Sequence, residues 1–103
     1  MEPEFKKYLL NVLAETLYLA GKEEYQRHIA AEPEKPNSAT QERQYLKELE
    51  KTAKRYAAEA IDELENKGLH SHGALLSKQG AVKETMGVLQ QKMFDELSAG
   101  QKT

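Results

Sequence analysis

Apolar residues in the first thirty positions fall at Phe5, Leu9, Val12, Leu13, Leu17, Tyr25 and Ile29, a helical spacing. Tyr8, Leu10, Tyr18 and Leu19 lie beside this row and widen the apolar face. Pro3 suits a first helical turn, and Glu2 and Glu4 suit the positive end of a helix dipole. Gly21 interrupts the row, at a cost of about 1 kcal/mol relative to alanine in mid-helix. The period resumes beyond it, so the pattern predicts one helix over about 4–31, kinked near Gly21.

Two prolines, an asparagine and a serine then make residues 32–38 a loop. Ser38 and Gln41 have the spacing of a capping box and predict a helix start. The second helix is expected over about 39–67, with a seam of Leu46, Leu49, Ala53, Tyr56, Ala57, Ala60, Ile61 and Leu64. Small residues in mid-seam let another helix approach closely. Gly68 is placed as the glycine that ends this helix, and residues 68–73, GLHSHG, form a turn. A third apolar row, Leu75, Val82, Met86, Leu89, Met93 and Leu97, predicts a helix over about 74–98. Ser71 is its candidate N-cap and Gly100 its candidate terminator. No strand, repeat or low-complexity segment is visible. The expected class is all-α, with three long amphipathic helices in a single domain over residues 1–103. The second and third form an antiparallel hairpin, within a bundle or a dimeric bundle.

Composition sharpens this picture. Leu, Ile, Val and Phe together make up only about a fifth of the chain, a level at which a single core is thin. Net charge is −2, with both signs interspersed, so the chain is not expected to be disordered. Narrow seams of few large apolar residues suit partnership with another chain, and a homodimer is expected. There is no cysteine, which removes disulfides, thiolate chemistry and cysteine-based zinc sites. No apolar run is long enough to span a membrane. MEPEFKKYLL opens on acids rather than on a cleavable leader pattern, so a cytoplasmic location is expected.

Candidate chemistry is sparse. His70 and His72 stand one residue apart between glycines, but only His28 could join them, and zinc usually needs three or four well-placed ligands. A hinge with solvated imidazoles is the expected reading, with no metal and no cofactor. Nucleophile, phosphate-loop and zinc-protease motifs are absent, so no catalytic residue is assigned and no enzyme is expected.

Charge patterning says more. Arg43, Lys47, Lys51 and Arg55 form an i, i+4 row, with Lys54 beside it. Like charges at this spacing repel, so something outside the helix should offset them. Antiparallel pairing about His70 would bring Arg43 and Lys47 near Asp95 and Glu96, and Lys78 near Asp62 and Glu63. The competing reading is a nucleic-acid surface, with Arg43, Lys47, Lys51, Lys54 and Arg55 on phosphates and Tyr45 and Tyr56 on bases. Leu76 to Gln90 also loosely resembles a helix-turn-helix. Gly80 would be its turn, Ala81, Met86 and Leu89 its packing positions, and Lys83, Glu84 and Thr85 the start of its recognition helix. The unbroken helical period from Val82 to Leu97 argues for one continuous helix instead. The expected function is therefore binding another protein, as an adaptor or as an inhibitor of a larger complex. Phe5, Tyr8, Leu9, Leu13, Leu17 and Tyr18 are the candidate contacts, with nucleic-acid binding the alternative.

Overall fold

A computed structural model describes residues 1–31 and 39–101. The loop expected over 32–38, with the Ser38 end of the capping box, lies outside the described residues. Among the described residues every regular element is helical: α1 (Pro3–Ala31), α2 (Ala39–Asn66), α3 (His72–Ser77) and α4 (Gln79–Gln101).

Pro3 opens α1 as its first residue, where a missing amide hydrogen costs nothing. The helix then runs unbroken past Gly21. That glycine serves close packing: a Cβ there would overlap the Leu49 Cδ1 methyl of α2 and lie 3.0 Å from Cδ2. The Tyr45 hydroxyl donates to the Gly21 carbonyl at 3.3 Å, and the Tyr25 and Tyr45 rings stack at 4.3 Å. Lys6 meets Glu65 at 3.0 Å near the other end. These contacts make α1 and α2 antiparallel neighbours.

Gly68 ends α2 as its sequence position implies. With φ at +81°, it occupies the left-handed region that glycine enters without strain. The Gly68 amide donates to the Glu65 carbonyl at 3.0 Å, and the Leu69 amide reaches back to the Leu64 carbonyl at 2.9 Å. Leu69 and Leu64 are buried in the same apolar cluster, which completes a Schellman motif. Ser71 then caps α3, accepting from the Ala74 amide at 3.1 Å.

The expected third helix is divided. Lys78, at φ −123° and ψ 45°, separates α3 from α4. The Lys78 amide still donates to the Ala74 carbonyl, and the Val82 amide to the Lys78 carbonyl, both at 3.1 Å. The elbow therefore keeps its local hydrogen bonds. It lets Leu75 close one end of the bundle, packed with Leu64 and Leu69 and with Phe5 and Leu9 of α1. At the far end α4 continues through Gly100 to Gln101, so that glycine does not terminate it.

α2 is the central helix, and α1 and α4 pack chiefly on it rather than on each other. The main core joins Leu13 and Leu17, then Leu49, Ala53, Tyr56, Ala57, Ala60 and Ile61, then Leu89, Met93 and Leu97. Each large side chain in it contributes roughly 1.5–3 kcal/mol by leaving water. The alanines keep the α2 surface low, so two helices can lie against it. The result is an all-α bundle measuring 48 × 23 × 20 Å. Two threonines are buried within it, and both are satisfied. Thr52 donates to the Glu48 carbonyl, and Thr85 donates to the Ala81 carbonyl while accepting from Lys67 at 2.6 Å.

Candidate interaction surfaces

The six candidate contacts on α1 divide three ways. Leu13 and Leu17 are buried in the chain's own core and offer nothing to a partner. Their i, i+4 spacing faces the α2 seam, which corrects their assignment as partner contacts. Phe5 and Leu9 are half-buried against the end cluster, and Tyr18 is half-buried against the main core. Tyr8 alone stands well out, 65% exposed. With it stand Val12 at 38% and Leu19 at 50%. Positions 8, 12 and 19 are four and seven residues apart, so they share one line along the helix. The apolar face of α1 thus has two sides, one spent on α2 and one in solvent. The signal was in the sequence: α1 carries more apolar positions than a single stripe holds.

The basic row occupies the outward side of α2. Arg43, Lys47, Lys51, Lys54 and Arg55 are all exposed. Lys54 pairs with Glu50 at 3.4 Å on its own helix. Arg55 pairs with Glu96 of α4 and also lies 4.9 Å from the Tyr56 ring centre. Arg43, Lys47 and Lys51 have no ion pair among the described residues. The expected pairing of Arg43 and Lys47 with Asp95 and Glu96 is therefore corrected. α2 and α4 are antiparallel, but Arg55 faces Glu96, Glu59 meets Lys92 at 3.8 Å, and Lys67 meets Thr85. The hairpin turns near residue 76 rather than near His70, because α3 and its elbow consume chain before α4 begins. Lys78 is exposed at that elbow and has no ion pair with Asp62 or Glu63.

Both tyrosines invoked for base stacking point inward. Tyr56 is buried in the core and donates to Glu96 at 3.3 Å. Tyr45 is half-buried in its stack with Tyr25. Burial raises the pKa of each phenol, so both remain protonated donors; for Tyr45 the Glu24 charge adds to the effect, and for Tyr56 the Glu96 charge does. The helix-turn-helix likeness also fails on geometry. Gly80 lies inside α4 and the break falls at Lys78. Leu89 is packed, as that likeness also expects, but Thr85 is buried under Lys67 where a recognition helix would need it exposed.

His70 and His72 are exposed, and His72 opens α3 with its ring 5.4 Å from that of Phe5. Among the described residues no cluster of three or more histidines and acids is arranged to hold a metal ion. No described helix is long and apolar enough to cross a membrane. An open groove of about 260 Å³ lies between α1 and α2, lined by Asn11, Ala14, Glu15, Tyr18, Glu50 and Lys54. Comparison with protein-family models, with curated proteins and with solved structures returned no match. The functional reading consequently rests on these surfaces alone.

Proposed function

We propose that this chain is a small, non-enzymatic, cytoplasmic protein-protein interaction module, acting as an adaptor or as an inhibitor of a larger complex, and that it self-associates through α1. The observation that supports this reading is the second apolar line of α1. Tyr8, Val12 and Leu19 remain in solvent after Leu13 and Leu17 have filled the core. Helices present anchors to one another at i, i+3, i+4 and i+7 spacings, and Tyr8, Val12 and Leu19 share such a line at i, i+4 and i+11, with the exposed Glu15 at i+7. Large aromatic and aliphatic side chains at such positions carry most of the energy of a contact. The thinness of the bundle adds weight, since a layer built on one central helix leaves the outer side of α1 uncovered.

Sedimentation equilibrium tests the proposal. The parent chain, of 11.7 kDa, is expected to sediment at twice its mass at micromolar concentration, and a Tyr8→Glu, Leu19→Glu variant as a monomer with unchanged helix content. A parent that stays monomeric, with a Tm independent of concentration, would remove self-association from the proposal.

A further inference from the structure

We infer that the outward basic row of α2, with the groove beside it, is a docking track for an acidic helical segment of another protein. This goes beyond the contact proposed for α1, because it uses a different helix and a different chemistry.

Uncompensated charge is the first argument. Arg43, Lys47 and Lys51 stand at four-residue intervals with no ion pair among the described residues. The acids of α4 that were available are used elsewhere. Glu96 holds Arg55, and Asp95 accepts from Gln91 at 3.0 Å. Like charges at this spacing repel one another. Arg43 also stands just beyond the first turn of α2, toward the positive end of its dipole. An anionic partner relieves both effects, and nothing in the described chain does so.

Shape selects the kind of anion. Side chains four residues apart rise about 6 Å along a helix, which is also the spacing of carboxylates at i, i+4 on a partner helix. The row is narrow, because Glu48 and Glu50 flank it on exposed positions. Those carboxylates repel a broad polyanion such as a duplex more than a single line of acids. Tyr45 and Tyr56, turned inward, offer no stacking platform to unpaired bases. The groove at the Lys54 end supplies what a polypeptide needs besides charge. It is an open groove of roughly 260 Å³ in which Ala14 and Tyr18 offer apolar contact beside Asn11, Glu15 and the Glu50–Lys54 pair. The partner is therefore a helix with a line of acids and a single apolar anchor.

Fluorescence anisotropy on the intact chain tests this. The probe is a labelled helical peptide with glutamates at every fourth position and one leucine on the adjoining edge. Controls are the same peptide with glutamine for glutamate, the same with alanine for leucine, and single-stranded and duplex oligonucleotides. The acidic peptide is expected to bind at low salt, to weaken as salt rises, and to bind less well without its leucine. Binding should be lost in Lys47→Glu, Lys51→Glu protein of unchanged helix content, and kept in the Tyr8→Glu, Leu19→Glu variant. Equal binding of the glutamine peptide, indifference to the lysine changes, or absence of peptide binding would overturn the inference. Tighter binding of an oligonucleotide, lost with the same lysines, would overturn it in favour of nucleic acid.

Discussion

Gly21 shows how far a single residue's meaning depends on its neighbour across the bundle. In sequence it is a weak point in a helix. In the fold it is where α2 comes closest, with the fully buried Leu49 against it. Alanine there regains about 1 kcal/mol of helix propensity but overpacks a filled site, which typically costs about 1–3 kcal/mol. Gly21→Ala is expected to lower the Tm. Gly87 is the converse case, since a Cβ at that position meets no atom within 4 Å. Gly87→Ala is expected to stabilise by about 0.5–1 kcal/mol, chiefly through the unfolded chain, and thermal melts of the two variants should move in opposite directions. Glu65 gives a residue-level test with pH. The hydrogen bond and charge of Lys6, aided by the N-terminal amine and His70, hold its carboxyl below the ordinary glutamate range despite some opposing burial. A carboxylate depressed in the folded state adds stability above its unfolded pKa of about 4.3, and that contribution is lost as pH falls through the folded value. Lys6→Met should therefore flatten the fall in Tm measured from about pH 5 downward.

At the scale of elements, the lesson lies in the register of the α2–α4 hairpin. The apolar period from Leu75 to Leu97 reads as one helix because a single non-helical residue leaves the spacing intact. Lys78 is that residue, and its own amide and carbonyl remain bonded, so neither composition nor periodicity marks it. The consequence is electrostatic: Arg55, not Arg43 or Lys47, meets Glu96. Arg55→Glu should destabilise slightly, and adding Glu96→Arg should recover part of the loss. Exposed pairs are worth about 0.2–1 kcal/mol, less in high salt. Lys47→Glu combined with Glu96→Arg should show no such coupling in the same double-mutant cycle.

The whole molecule is a bundle organised on one central helix. The sequence by itself determined a good deal of it. Helical class, the Pro3 start of α1, the Gly68 stop of α2 and the Ser71 cap all follow from local chemistry: period, capping and a left-handed residue. These need no knowledge of what lies across the bundle. The α2 seam was legible for the same reason, because alanines and large apolar residues at one helical phase admit only one buried side. α1 was not legible in this way. It carries apolar residues on two sides, and only packing against α2 decided that Leu13 and Leu17 go inward while Tyr8, Val12 and Leu19 stay out. The turn of Tyr45 toward Tyr25 and Gly21 of α1, and the lack of an ion pair at Arg43, Lys47 and Lys51 among the described residues, were likewise tertiary outcomes. The first depends on packing against α1 and the second on where α4 begins, a point that one residue of non-helical backbone at Lys78 moved by several positions. Periodicity fixes which residues share a side of a helix; only the placement of the neighbours decides which side is covered.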